Sequence, residues 1–294
     1  MFSYSSLCHE LAAVTDTPRE EACLLLSHYC GVGTADLLCD RDRQYENDDL
    51  ETAVRKRLTG YPIQYILGEW YFFGCRFRVS PVCLIPRPDT EVLVEEALKR
   101  IKPGSVVADL CTGSGCIATA LLANRLDIPL CAGLELFSDT LALAKENAES
   151  NGVGSRFLPV CADLLTDGAA CLRDAIRTHL PHRQNCEFDM IVSNPPYIRE
   201  SELPGLAAEL SYEPQAALNG GEDGLTFYRA ILSQYGELLH PDGWLLLEIG
   251  YDQADDIRRL SEEFGRWTVA AVCRDLGEHD RVVCLKHTGS TSAS

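Results

Sequence analysis

Apolar positions recur at helical spacing along the first 70 or so residues, then fall into short runs separated by amphipathic stretches. Thr17-Pro18-Arg19-Glu20 opens a helix with Cys23, Leu24 and Leu26 at apolar positions, and Gly31 ends it. Asn47-Asp48-Asp49-Leu50-Glu51 opens another, running through Ala53, Val54 and Leu58 to Gly60-Tyr61-Pro62. The aromatics from Trp70 to Val79 predict two strands joined at Gly74. From about residue 84, strands and helices alternate. Strands are predicted at 106–110, 130–136, 157–162, 188–193, 244–249, 268–273 and 282–286, with helices at 117–125 and 139–150. Such alternation implies a parallel sheet with helices on both faces and a ligand at the carboxyl ends of its strands. Residues Leu165 to Glu187 break the rhythm and read as a polar surface excursion. The chain thus divides into a helical module (1–69), a β-hairpin linker (70–83), an α/β domain (84–288) and a disordered tail (289–294).

The apolar run Phe188 to Val192 ends in Ser193-Asn194-Pro195-Pro196-Tyr197. Two prolines cannot continue a central strand, so the chain turns sharply after Asn194. Each proline holds the residue before it extended, leaving the carbonyls of Asn194 and Pro195 without ladder partners. The result is a rigid corner with a side-chain amide, free acceptors and an aromatic ring, suited to a planar NH2-bearing group. The plainer alternative is a proline turn that only caps a strand.

Composition narrows the classes. A hydrophobic content of 46% and a charged content of 24% are ordinary for a globular protein. No apolar run reaches the roughly 18 residues of a membrane span, and Met1 to Ser6 lacks the pattern of a signal peptide, so a cytoplasmic protein is expected. The 14 cysteines include no Cys-x-x-Cys pair, and the seven histidines have no ligand spacing, so no metal is expected. Cys116, Cys131, Cys161, Cys273 and Cys284 sit in apolar segments and read as small core residues. The net charge of −18, from 44 acidic and 26 basic residues, argues against an enzyme that grips nucleic acid on its own.

Asp109-Leu110-Cys111-Thr112-Gly113-Ser114-Gly115 joins the first strand of the α/β domain to its helix. Its glycines let the backbone approach a ligand, and the amides of the helix start point outward. A bare Gly-x-Gly is weak evidence. Glu135, at the end of the next strand, adds a carboxylate able to accept both hydroxyls of a ribose. Asp163, at the end of the third, suits an adenine amino group. Either acid alone also reads as a solvated strand end; their succession on consecutive strands is the stronger signal.

With the Asn194-Pro195-Pro196-Tyr197 corner on the fourth strand, the set resembles a class I S-adenosylmethionine-dependent methyltransferase. A nicotinamide-binding fold leaves that corner unexplained. Gly60 to Gly68, Leu84-Ile85-Pro86-Arg87-Pro88-Asp89-Thr90-Glu91, Glu213-Pro214-Gln215-Ala216-Ala217-Leu218 and Gly221 to Leu225 all resemble the HemK/PrmC family, and Leu247-Glu248-Ile249-Gly250 and Arg281-Val282-Val283 match its closing strands. Members of that family are protein-(glutamine-N5) methyltransferases acting on peptide chain release factors. The resemblance covers nearly the whole chain. It implies a Rossmann-like α/β fold, mostly parallel with an antiparallel C-terminal strand, behind a small helical domain that docks the substrate. It implies S-adenosyl-L-methionine as cofactor and class 1 release factors as partners. A monomer is the default expectation, and hydropathy and charge lead to no membrane or direct nucleic-acid contact being expected.

On the same resemblance, Cys111, Thr112, Gly113, Ser114 and Gly115 line the methionine part of the cofactor, Glu135 the ribose, and Asp163 and Leu164 the adenine edge. Asn194, Pro195, Pro196 and Tyr197 hold the substrate glutamine, with Asn194 also bordering the cofactor. The Asn194 side-chain oxygen and the Pro195 carbonyl are expected to accept its two N–H bonds. The family usually has glycine where Cys111 stands and often an aromatic where Leu164 stands. A non-glycine at 111 is tolerable if its φ is negative, and leucine still packs against adenine with less stacking. Arg87 and Glu91 either face the substrate cleft or cap a helix. The rival readings are an adenine-N6 DNA or RNA methyltransferase, which uses the same corner on an aromatic NH2, and a binding module with a vestigial cofactor fold.

Overall fold

The computed structural model of the chain describes residues 1–181 and 188–288. The tail predicted at 289–294 and residues 182–187 of the predicted excursion lie outside them. Five helices form the N-terminal module: α1 (Tyr4–Leu11), α2 (Pro18–Cys30), α3 (Thr34–Cys39), α4 (Asp48–Arg57) and α5 (Ile63–Leu67). Local chemistry sets their ends. Ser3 and Ser6 form a reciprocal cap on α1, Pro18 opens α2, Gly31 closes it at a φ of 65°, and the Asn47 side chain accepts from Leu50 N at 2.9 Å. Leu7, Leu11, Leu25, Leu26, Leu50 and Val54 fill the module's own core.

Arg57 is also inside that core, 1% exposed, with its guanidinium on both oxygens of Glu21 at 2.6 and 2.9 Å. The same group reaches Glu209 at 2.5 Å, in a segment that covers the larger unit's ligand face. A buried guanidinium persists only where carboxylates replace its hydration, and here they come from both units.

A hairpin follows, β1 (Glu69–Phe72) and β2 (Cys75–Arg78), in antiparallel register. Its two turn residues, Phe73 and Gly74, have φ of 48° and 76°, the left-handed pair that a two-residue hairpin turn favours. Phe72 and Phe77 are buried in one cluster with Leu93, Val107 and Ile117, so the hairpin belongs to the larger unit's core.

The larger unit carries seven strands, β3 (Val106–Leu110), β4 (Leu130–Glu135), β5 (Phe157–Cys161), β6 (Phe188–Ser193), β7 (Leu239–Glu248), β8 (Trp267–Arg274) and β9 (Asp280–His287). They lie in the order β5-β4-β3-β6-β7-β9-β8; the first five are parallel, and β9 runs antiparallel to both neighbours. Helices α6 (Glu91–Arg100), α7 (Cys116–Asn124) and α8 (Ser138–Ser150) share one core cluster. Helices α9 (Gly168–His179), α10 (Thr226–Gln234) and α11 (Ala254–Phe264) share the other. Alternate residues of β3 serve the two clusters, and the strand is buried throughout. This is the expected Rossmann-like α/β fold. No helix among the described residues is long and apolar enough to cross a membrane.

Two expectations need correction. The stretch read as a surface excursion contains α9, which buries Leu172 and Ile176 against the sheet. Their spacing of four residues gives the helix an apolar stripe despite its polar composition. Of the cysteines read as core residues, Cys116, Cys131 and Cys284 are buried, but Cys273 is half-buried and Cys161, at the end of an edge strand, is exposed.

Arg57→Ala leaves Glu21 buried without its counter-ion and is expected to cost roughly 3–5 kcal/mol. Urea unfolding followed by far-UV circular dichroism measures this; a loss below about 1 kcal/mol contradicts the role given to the pair.

Candidate active site

The sheet order places β3 and β6 side by side, with the chain leaving β3 toward β4 and β5 and returning on the other side through β6 and β7. Such a reversal opens a crevice at the carboxyl ends of the strands. All four predicted motifs end there. After β3 the chain turns through Cys111–Gly115, with Thr112 N on Leu134 O at 2.9 Å and Gly113 N on Glu135 Oε2 at 3.1 Å. Gly115 combines a φ of 77° with close packing on α8: a Cβ there would lie 3.1 Å from that of Ala144.

Asp109 organises this turn from below. It is fully buried, and its Oδ2 accepts from the Thr112 hydroxyl at 2.6 Å and from Ala118 N at 3.2 Å. Burial pushes its carboxyl up to about 7, against those two hydrogen bonds. Cys111 departs from expectation. Its φ is 58°, not negative, so this non-glycine residue occupies the left-handed region, at a cost of about 1 kcal/mol. Burial, then the nearby Glu135 and Asp109 carboxylates, raises its thiol well above the usual range.

Glu135 ends β4 with its carboxylate oriented by three backbone amides, those of Gly113, Leu136 at 3.0 Å and Phe137 at 3.2 Å. Burial raises its pKa, and those amides oppose the rise. Beside it a cavity of about 280 Å³ is walled by Cys111, Gly113, Leu134, Asp163, Leu164 and Phe227. The wall is apolar with acids at two points, which suits a nucleoside whose ribose and amino group need acceptors. The backbone at Gly113 leaves room for a chain lying over the turn. A smaller cavity, about 40 Å³, continues past Thr112 and Ser114 to Thr90 and Asn194. Asp163 and Leu164 follow β5, and Leu164 is buried, with its carbonyl accepting from Tyr235 Oη at 2.9 Å.

Asn194 stands where this space meets a second cavity of about 390 Å³, lined by Arg87, Asp89, Pro195, Tyr197, Leu210 and Glu248 among others. Leu84, Asn194 and Ala217 belong to both cavities. Pro195 lines the second cavity and Pro196 the first, and the carbonyls of Asn194 and Pro195 accept no hydrogen bond among the described residues. Gln253 Nε2 holds the Tyr197 carbonyl at 3.0 Å. Gly220 lies against the same corner; its Cβ would sit 2.7 Å from the Tyr197 Cα. The Tyr197 phenol is pushed up to about 12 by burial, so it remains an O–H donor at neutral pH.

The segment from Glu200 to Ala217 roofs both cavities in three short 3-10 turns. Glu213 pins it to the connection before α6, pairing with Arg87 and accepting from Ile85 N at 3.0 Å. Arg87 therefore faces the second cavity, whereas Glu91 accepts from Phe73 N at 2.7 Å and holds the hairpin turn.

Two residues at the corner were not among the site residues expected from the sequence. Asn194 Nδ2 lies 3.2 Å from the hydroxyl of buried Thr90. Glu248, 2% exposed at the end of β7, has its carboxyl within electrostatic reach of the Thr90 hydroxyl and the Asn194 amide, with its buried Oε2 making no hydrogen bond among the described residues. Burial pushes that carboxyl up to about 7. The readable cue was a lone acid at the end of the apolar run Trp244 to Ile249. Among the described residues, Glu96, Cys273 and Cys284 bring three metal-capable atoms within 4.8 Å of one another, but they border neither cavity, and Glu96 is shared by Lys99 and Arg100.

Residues 5–68 match the family described as the PrmC N-terminal domain. A release factor glutamine methyltransferase of Nitratidesulfovibrio vulgaris is 38% identical over 278 residues, 92% of this chain and 89% of that protein. One from Geobacter sulfurreducens is also 38% identical, over 91% of this chain and 89% of its own. A methyltransferase structure from Pyrococcus furiosus shares the fold at a TM-score of 0.50 and 18% identity, covering 74% of this chain and 91% of that one. At 38% identity over about nine-tenths of its length, the chain belongs to the release factor glutamine methyltransferase family.

Proposed function

We propose that the chain transfers the methyl group of S-adenosylmethionine to the side-chain amide nitrogen of the glutamine in the Gly-Gly-Gln motif of class 1 peptide chain release factors. The observation that carries this reading is the meeting of two cavities at one asparagine, an acid-flanked apolar one and one that presents free amide and carbonyl acceptors. Relatives that bear the name over nine-tenths of the chain support the acceptor.

When bound, S-adenosylmethionine supplies a methyl group made electrophilic by a positive sulfur. Glu135 accepts from the ribose hydroxyls and Asp163 from the adenine amino group, while Leu164 packs on the base. Cys111, Thr112, Gly113, Ser114 and Gly115 flank the methionine part. The acids of this cavity favour a cation over a neutral ligand.

A carboxamide nitrogen is a poor nucleophile because its lone pair is delocalised into the carbonyl. The Asn194 Oδ1 and the Pro195 carbonyl accept its two N–H bonds, fixing the nitrogen toward the first cavity and favouring positive charge as it builds. Tyr197 packs against the amide plane, and the two prolines keep the corner from adapting to other shapes. The proton leaves after methyl transfer, so the corner needs no base. The N-terminal module docks the protein substrate, in the cytoplasm, and one chain supplies every site residue, as a monomer requires. The net charge of −18 counts against an adenine-N6 methyltransferase, which must hold phosphates.

Asn194→Ala is expected to lower kcat by about 10²–10³ while leaving the cofactor Kd within a few fold. Transfer of radiolabelled methyl to a release factor, run beside duplex DNA, measures it. Retained turnover, or label on the DNA alone, contradicts the reading. Glu135→Gln is expected to weaken the cofactor about 10- to 100-fold in calorimetry. Because the Glu135 pKa is raised, cofactor affinity of the parent is expected to fall with decreasing pH, beginning above the ordinary carboxylate range of about 4.3. In the Gln variant that slope is absent.

A further inference from the structure

We infer that Thr90 and Glu248 are positioning residues that decide which end of the Asn194 side-chain amide faces the acceptor cavity. The inference rests on the reading of Asn194 as the holder of the acceptor amide. An asparagine amide has an acceptor end and a donor end of nearly the same shape, and packing alone does not choose between them. Only the oxygen end can accept from an incoming NH2; the reverse orientation sets donor against donor.

The corner supplies the choice. Asn194 Nδ2 lies 3.2 Å from Thr90 Oγ1. The Glu248 carboxyl lies within electrostatic reach of both the Thr90 hydroxyl and the Asn194 amide, and its buried Oε2 makes no hydrogen bond among the described residues, an acceptor open to the Thr90 proton. An ionised carboxylate can only accept, so the single Thr90 proton goes to Glu248. That leaves Thr90 Oγ1 only lone pairs to offer, and these take the N–H of Asn194. The chain of donors thus runs one way, from Asn194 Nδ2 through Thr90 to Glu248, and turns Oδ1 to the cavity. The strands themselves bring the members together. Ser193 pairs with Leu247, so Asn194 and Glu248 are the next residues on neighbouring parallel strands. Thr90, 2% exposed just before α6, closes the triangle.

A protonated Glu248 can donate to Thr90 and reverse the chain. The groups around it are Arg281 of β9, which favours the carboxylate, and Asp89, which opposes it. Tyr228 of α10, Tyr197 and Cys116 of α7 also lie within electrostatic reach. Burial outweighs Arg281 and leaves the carboxyl at about 7, so the orientation is expected to weaken as pH falls below neutrality.

The test is methyl transfer to a release factor at saturating cofactor, with cofactor Kd and Tm measured on each variant. Thr90→Val keeps the shape and removes the hydroxyl; kcat is expected to fall about 10- to 100-fold with the cofactor Kd within threefold. Thr90→Ser keeps the hydroxyl and is expected to stay within about threefold of the parent. Glu248→Gln can donate as well as accept, and is expected to lose about tenfold in kcat together with the acid limb of the kcat–pH profile. Asn194→Ala run alongside separates the two claims: full turnover there overturns the reading of the site. Collapse in Asn194→Ala with parental turnover in both Thr90→Val and Glu248→Gln overturns this inference alone. A loss in Thr90→Ser equal to that in Thr90→Val also overturns it, because packing would then be the cause.

Discussion

The reversal of chain direction between β3 and β6 is the constraint on which the rest of the structure depends. Connections from β3 lead outward to β4 and β5, and the later strands fill the other side, so the loops after β3 and β6 diverge and leave a crevice. Five consecutive strand ends then open on one region of space. The Cys111–Gly115 turn, Glu135, Asp163, Asn194 and Glu248 are distant in sequence and adjacent only for that reason. The antiparallel β9 and the helices of both faces bury the sheet well enough for its polar ends to be fixed in position.

Burying acids at those ends is costly, and the structure offsets the cost in different ways. Glu135 receives three backbone amides, which the turn after β3 and the start of α8 provide together. Asp109 takes a hydroxyl from the turn it supports and an amide from the start of α7, and retains a raised pKa. Glu213 is matched by Arg87, and Arg57 of the module matches both Glu21 and Glu209 of the roof. Each pairing ties one segment to another, so the roof over the site is joined both to the connection before α6 and to the N-terminal module. The module is therefore tied to the segment that walls the acceptor cavity and is not a detached appendage.

Much of this was legible in the sequence because strand ends and turns are written in local chemistry. Proline pairs, Gly-x-Gly and acids that follow apolar runs are punctuation that a single strand can carry, and they located Glu135, Asp163 and Asn194. What could not be read was convergence. Thr90 and Glu248 meet at Asn194 from elements about 100 and 50 residues away, and nothing near either residue states the meeting. The amphipathic helix at Gly168–His179 was hidden by polar composition, since its buried stripe depends mainly on Leu172 and Ile176. The hairpin was placed correctly by its aromatics, but its membership of the larger core depends on packing alone. The backbone angle at Cys111 is set by the tight turn after β3, and a side chain gives no local sign of it.

That cysteine has a chemical consequence. A sulfur atom lining a cavity for a methyl donor is itself an eligible methyl acceptor, and a thiolate there would compete with any amide nitrogen. Burial first, and the Glu135 and Asp109 carboxylates after it, hold the Cys111 sulfur in its protonated, weakly nucleophilic form. A buried thiol held in that form is a poor competitor for a methyl group, so the turn carries a cysteine in place of glycine without adding a strong nucleophile to the cavity.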